Sequence, residues 1–170
     1  QVSVGMTMVH PAPPPPGTYS MTISGYDIEN DILSEMTLYF EVPVLADANV
    51  QLLNEQILVS PLESTNTQVT IINDGNGAQS YDVELVSPAG WHLGLDSIGT
   101  FEGSSHGSTG TLQKGSSKTV DITINSPGAM IPSGTTFEAA IIVHSRVSSI
   151  SWVQDIFLIV GPVDNVSLYP

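Results

Sequence analysis

Four carboxylates lie close together in one short stretch with the spacing of a calcium-binding loop. They occupy loop positions 1, 3, 5 and 9 and are Asp27, Glu29, Asp31 and Glu35. Calcium binds oxygen ligands at these positions, but such a loop also requires glycine at position 6 for its sharp turn. Ile32 stands at that position. We therefore expect a charged, solvated loop between two strands, with Ca²⁺ binding as the weaker alternative.

Two tryptophans could bind sugars, because an aromatic ring offers a flat apolar face with a polar edge. Trp91 alternates in phase with Leu93 and Leu95, and this pattern favours a position at the margin of a core. Trp152 begins a strand pattern and fits either role. A sequon for N-glycosylation begins at Asn165 and is a third candidate site.

No residue pattern for a catalytic site is present. The four histidines lack the spacing of metal sites such as HExxH, and they are His10, His92, His106 and His144. The nucleophile motif G-x-S-x-G does not occur. Cysteine is absent, which excludes disulfides, thiol nucleophiles and cysteine zinc sites. We therefore predict a protein that is not an enzyme, without a cofactor or a metal beyond the calcium candidates.

The chain is strongly acidic, and this limits its partners. Its 170 residues include 17 acidic and 3 basic side chains, for a net charge of −14. Because phosphate binding depends on Lys and Arg, we expect no nucleic-acid partner. An anionic membrane surface would repel the chain, and no apolar run of about 18 residues predicts a transmembrane segment. The acidity is typical of a solvated extracellular surface, with divalent-ion binding as the alternative.

The sequence around the candidate residues predicts β-strands along the whole chain. No segment keeps a 3.6-residue apolar period for three turns, whereas apolar and polar residues alternate in 119–125 and again in 137–143. Turns rich in Pro and Gly separate such segments. About seven short strands follow one another in 50–162, with residues 99–110 as a small polar loop. This pattern predicts an all-β, immunoglobulin-like β-sandwich.

Part of the pattern occurs twice. Residues 2–24 repeat the strand, proline-rich turn and aromatic-led strand of 110–145. The matched pairs are Pro11 with Pro127, Gly17 with Gly134 and Tyr19 with Phe137, at offsets of 116, 117 and 118 residues. The repeat is about the size of one small β-sandwich.

The repeat predicts the domain organisation. We expect the C-terminal half of a sandwich in 1–44, a linker in 45–49, a complete sandwich in 50–162, and a linker or the first strand of a following unit in 163–170. The half unit contains three predicted strands, near 2–9, 18–24 and 36–42. Either the chain is a window on a longer array, or it is a subunit whose partial domain is completed by a neighbour. The short linker favours neighbouring units held nearly end to end.

Three stretches resemble a known family. VTIINDGNGAQSYDVELVSPAGWHLGL, GTLQKGSSKTVDITINSP and SGTTFEAAIIVHS resemble the prokaryotic NEW3-type, CARDB/APHP-like domains of the immunoglobulin-like superfamily. The resemblance covers about 49–162, with 1–44 as a half unit, and departs from the family in the 99–110 insertion. It implies a module found in tandem in archaeal and bacterial surface proteins, in S-layer-like and adhesive stalks, and beside glycoside hydrolases.

These observations predict a structural protein of a prokaryotic, archaeal cell surface, in an S-layer, stalk or extracellular filament. The expected partners are copies of itself or neighbouring domains of the same glycoprotein. A strand from a neighbour would complete the partial domain, and residues 1–9 are the predicted donor strand. The alternative function is a carbohydrate- or surface-binding accessory or adhesin module, with Trp91 or Trp152 as the sugar platform.

Overall fold

The computed structural model describes Thr7 and residues 12–96, 104–127 and 131–162. All the regular secondary structure in these ranges consists of β-strands. The strands are β1 (Gly17–Asp27), β2 (Ile32–Val42), β3 (Ala48–Leu52), β4 (Gln56–Val59), β5 (Ser64–Asn73), β6 (Gln79–Val86), β7 (His92–Asp96), β8 (His106–Leu112), β9 (Ser117–Asn125), β10 (Thr136–Ser145) and β11 (Ser151–Val160). The prediction of an all-β chain is confirmed.

Contacts divide the chain into two compact units, Gln1–Leu45 and Ala46–Pro170. The described strands of the first unit form one antiparallel hairpin of β1 and β2. Its two strands pair without interruption, and four residues, 28–31, make the turn. The strand predicted near 2–9 lies outside the described residues except for Thr7.

The described strands of the second unit form two sheets. One has the strand order β4-β11-β10-β6-β8 and the other has the order β3-β5-β9-β7. Neighbouring strands are antiparallel except for β4, which runs parallel to β11. The chain changes sheet between β3 and β4.

Alternation of apolar and polar residues builds the core of the second unit, because it turns one face of each strand inward. Residues of both sheets belong to a single buried cluster, so the two sheets pack face to face as a β-sandwich. Its largest fully buried apolar side chains are Val59, Val69, Ile71, Tyr81, Leu93, Leu95, Ile122, Ile124, Ile141, Ile156 and Leu158.

The predicted loop 99–110 is wrong from His106 onwards, where β8 begins and pairs with β6. Of the seven residues of β8 only Leu112 is buried, so this edge strand shows none of the alternation by which strands are recognised in sequence. A bulge lies between Ser80 and Asp82. There the N–H of Tyr81 donates to the hydroxyl of Thr109 at 3.1 Å, so a side chain replaces the missing backbone bond. A second strand also begins earlier than predicted. β3 starts at residue 48, inside the predicted linker 45–49.

Candidate functional site

The turn between β1 and β2 does not bring the four candidate carboxylates together. Asp27 pairs with Ile32 and Glu35 pairs with Ser24, so the two carboxylates project from opposite faces of the hairpin. The Glu35 carboxylate accepts a hydrogen bond from Ser24 Oγ at 3.3 Å. Within the described ranges, no three His, Cys, Asp or Glu side chains converge closely enough to hold a metal ion. Calcium binding stays a prediction.

Asp27 instead organises the turn. Its carboxylate accepts hydrogen bonds from the side-chain amide of Asn30 at 2.8 Å and from the backbone N–H groups of Glu29 and Asn30 at 3.0 and 3.3 Å. These bonds favour the ionised form and lower the pKa of Asp27, the Asn30 amide contributing most. Across the same turn the hydroxyl of Tyr26 donates to the Asp31 carboxylate, and this bond raises the pKa of Tyr26.

Trp91 lies in the core of the second unit. Only 6% of its surface is exposed, and its ring packs against Phe137 with centroids 5.4 Å apart and planes tilted by 54°. The neighbouring Gly90 has a φ of +83°, a left-handed conformation that glycine adopts without strain. The backbone N–H of Trp91 donates to the Pro88 carbonyl at 3.0 Å and closes this turn. The indole therefore offers no open face to a sugar in this conformation.

Trp152 is half-buried and sits at the start of β11. Its ring forms a T-shaped pair with that of Tyr81, with a centroid distance of 5.9 Å and an interplanar angle of 77°, a preferred aromatic geometry. The contact fixes the ring but leaves part of it at the surface. The glycosylation candidate Asn165 lies outside the described residues.

Tyr81 is the centre of a buried polar network. Its hydroxyl lies 2.6 Å from the Asp47 carbonyl and 2.9 Å from Oδ1 of Asn73. The side-chain amide of Asn73 donates to the carbonyls of Gly77 and Leu112, both at 2.9 Å. Burial raises the pKa of Tyr81 to about 12, and the nearby carboxylates add to the effect. These polar groups hold the turn between β5 and β6 to the sandwich.

A row of ionisable side chains crosses the outer face of β8, β6 and β10. The two carboxylate oxygens of Glu84 each lie 3.5 Å from a histidine Nε2, Oε1 from His106 and Oε2 from His144. The other ring nitrogen of each histidine contacts a serine hydroxyl, Ser105 at 2.9 Å and Ser151 at 2.7 Å. Because the imidazoles contact different oxygens, the row is a set of surface pairs. Only the register between strands reveals it, and the sequence does not show that register.

The hairpin of the first unit has one apolar face and one polar face. We call the first the apolar hairpin face. Its members are Tyr19, Met21, Ile23, Met36, Leu38, Phe40 and Val42. On the opposite face, hydroxyls and carboxylates pair across the strands, as in the contact between Thr22 and Thr37 at 3.2 Å. The apolar hairpin face is only partly buried, with Leu38 41% and Met36 57% exposed.

The hairpins β1–β2 and β10–β11 have the same register. In the first hairpin the numbers of paired residues sum to 59, as in Tyr19 with Phe40. In the second they sum to 295, as in Phe137 with Leu158. The difference, 295 − 59 = 236, is twice 118, so a shift of 118 residues carries every pair of one hairpin onto the other. The strand bounds leave residues 28–31 between β1 and β2 and residues 146–150 between β10 and β11. The Ser145 N–H bonds to the carbonyl of Ile150 and extends the second ladder by one position, so four residues, 146–149, remain in that turn, as in the first.

Comparisons with known proteins give no family. No family model matches the chain, and no curated protein matches it. Within the described ranges, no helix has the length and hydrophobicity needed to cross a lipid bilayer.

Several solved structures align with part of the chain at low identity. A family 123 glycoside hydrolase from Clostridium perfringens aligns at 13% identity and a TM-score of 0.44, over 68% of this chain and 27% of that protein. Domains 4 and 5 of the S-layer protein SbsC align at 12% identity and a TM-score of 0.40, over 86% of this chain and 66% of that protein. The E. coli chaperone DraB aligns at 18% identity and a TM-score of 0.40, over 68% of this chain and 55% of that protein. The chain therefore spans less than two thirds of each of these structures, and none of them bears on its function.

Proposed function

We propose that this chain is a non-catalytic structural protein of a prokaryotic cell surface, part of an S-layer, stalk or extracellular filament. Its building block is an immunoglobulin-like β-sandwich that recurs along the assembly. The observation that carries the proposal is the pair of hairpins 118 residues apart with one register and one turn length. A repeated sandwich is the architecture of an extended array, in which each unit contacts its neighbours.

The second unit supports the immunoglobulin-like class. It packs two largely antiparallel sheets over one core, as immunoglobulin-like sandwiches do. The resemblance of 69–95, 110–127 and 133–145 to NEW3-type, CARDB/APHP-like domains points to the same class. We accordingly propose membership of that group.

Composition supports an extracellular location. A net charge of −14 keeps a protein surface solvated and resists non-specific association. The chain has no cysteine, and a sandwich of this size buries enough apolar surface to fold without disulfides. Both properties suit a prokaryotic surface protein.

The described polar groups support a non-catalytic role, because their contacts are those of a scaffold. Asp27 accepts the N–H groups of its own turn, and Asn73 and Tyr81 hold another turn. Arg146 binds Asp82 through its Nε at 2.8 Å and its Nη2 at 2.5 Å. Each of these groups stabilises backbone or a neighbouring strand.

The proposal is tested on cells of the source organism. An antibody raised against the 170-residue chain should label intact cells in immunogold electron microscopy, and brief external proteolysis should remove the label. An antibody to a cytosolic protein, which should label only opened cells, is the control. Labelling that appears only after cells are opened would contradict a surface role.

A further inference from the structure

In the second unit, β10 and β11 occupy the middle of a sheet, and each has a further strand on its outer edge. β6 runs antiparallel to β10, and β4 runs parallel to β11. In the first unit, β1 and β2 form a two-stranded sheet, and no described strand lies on either outer edge. The two hairpins thus share their register but differ in what surrounds them.

Two backbone hydrogen bonds show which residues of β10 serve each edge. The N–H of Ser145 donates to the carbonyl of Ile150 at 3.0 Å, towards β11. The N–H of Arg146, just beyond the strand, donates to the carbonyl of Ser80 at 3.2 Å, towards β6. Since an antiparallel ladder alternates these directions residue by residue, even-numbered residues of β10 bond to β6.

The same reasoning applies to β11. The N–H of Phe157 donates to the carbonyl of Glu55 at 2.7 Å, and the N–H of Gly161 donates to the carbonyl of Val59 at 2.9 Å. Odd-numbered residues of β11 therefore serve the edge that β4 occupies.

A shift of 118 residues transfers both assignments to the first hairpin. Thr22, Ser24 and Tyr26 direct their backbone groups to the outer edge of β1, and Tyr39 and Glu41 direct theirs to the outer edge of β2. Edge strands present such rows of N–H and C=O groups to any strand that can pair with them.

The apolar hairpin face has buried counterparts in the second unit. The position of Leu38 corresponds to Ile156, and that of Phe40 corresponds to Leu158, on the strand where both counterparts are fully buried. Leu38 itself is 41% exposed. In the second unit the four-stranded sheet covers this face, so the first hairpin displays the surface that such a sheet covers.

We propose that the β1–β2 hairpin is an assembly surface for one occupant, a half unit built like residues 46–117. One strand of the occupant pairs antiparallel with β1, as β6 does with β10. A second strand pairs parallel with β2, as β4 does with β11, and a sheet of the occupant covers the apolar hairpin face. The complete sandwich of a second copy does not fit, because its own β4 and β6 are already paired. This inference rests on the proposed function in that both treat the chain as part of a repeated array.

The inference is tested by providing the β1–β2 hairpin with a half unit of the proposed kind. Residues 46–117 are fused in front of Gln1 of the 170-residue chain, since an offset of 117 aligns Gln1 with Lys118. Hydrogen–deuterium exchange, read by mass spectrometry, is compared between the fusion and the 170-residue chain. We expect the amides of β1 and β2 to exchange at least about tenfold more slowly in the fusion. The segment 46–117 occurs twice in the fusion, and we expect both copies to be folded. Each peptide from this segment should therefore show a single, slowly exchanging population.

Two variants of the fusion supply the control. Ser24→Pro removes the N–H that faces the outer edge of β1, while leaving the bonds between β1 and β2. We expect it to abolish the added protection. Ser24→Ala keeps that N–H and should retain the protection.

The inference is overturned if hairpin exchange is unchanged in the fusion and half of the 46–117 signal exchanges rapidly. Aggregation of the fusion also counts against it, because a completed sandwich has no open hairpin edge to associate through. Surface labelling of cells is measured separately, so failure of the fusion leaves the proposed function standing, and intracellular labelling leaves the assembly surface standing.

Discussion

Tyr19 and Phe40 stack on each other across the β1–β2 hairpin, with ring centroids 5.6 Å apart and ring planes 12° from parallel. They are directly opposed in the register. The hydroxyl of Tyr19 also donates to the Pro15 carbonyl at 2.7 Å, which ties the entering chain to the hairpin. This pair therefore closes the end of the hairpin away from its turn.

Removal of this stack should loosen the hairpin. A stacked aromatic pair contributes about 0.5–1.5 kcal/mol, so Tyr19→Ala should speed exchange of β1 and β2 amides by roughly 2- to 12-fold. Tyr39→Ala is the matched control, because Tyr39 lies on the polar face and is 76% exposed. Equal effects of the two variants in hydrogen–deuterium exchange would show that the stack does not hold the hairpin.

The core of the second unit gives a stability prediction. Leu158 is fully buried in β11, and Leu58, opposite Ile159 on the neighbouring strand, is 63% exposed. Leu158→Ala should lower the free energy of unfolding by about 2–5 kcal/mol, through lost burial and the cavity left behind. Leu58→Ala should change it by less than about 0.5 kcal/mol. Urea denaturation measures both, and similar losses would contradict the assignment of the inner face of this sheet.

Alternation allowed the strands of the second unit to be predicted where one face of the sheet is buried. In β9, Val120, Ile122 and Ile124 point into the core, and their spacing alone marks a strand. The repeat was equally accessible, because Pro, Gly and aromatic residues recur at nearly constant offsets. Burial and turn chemistry leave a direct trace in the sequence.

Relationships between distant strands could not be predicted. The contacts of Glu84 with His106 and His144 depend on which residues face each other across β8, β6 and β10. The parallel pairing of β4 with β11 likewise joins segments about 100 residues apart, and no local pattern encodes it. The candidate calcium-loop carboxylates illustrate the converse, since their spacing does not show that a hairpin places Asp27 and Glu35 on opposite faces.

Tyr81 predicts how stability depends on high pH. Its pKa is raised to about 12 in the folded protein, whereas an unfolded tyrosine has a pKa of about 10. The neutral phenol is the form that folding favours, so its contribution is complete below pH ~10 and is lost as the pH rises towards 12. Urea denaturation at pH 9 and pH 11 should therefore show a larger loss for the wild type than for Tyr81→Phe. The other tyrosines and the lysines, which are common to both proteins, cancel in this difference; equal losses would contradict the prediction.

The two tryptophans separate a structural role from sugar binding. Trp91 is 6% exposed and packs on Phe137, so its fluorescence in the variant Trp152→Phe should be that of a buried indole and should not respond to saccharides. Trp152 forms a T-shaped pair with Tyr81, and we expect its emission, isolated in Trp91→Phe, to be equally insensitive to soluble oligosaccharides. Free tryptophan titrated in parallel corrects for absorption by the sugars. A saturable change confined to Trp91→Phe would assign a sugar platform to Trp152 and favour the accessory-module function over the structural one.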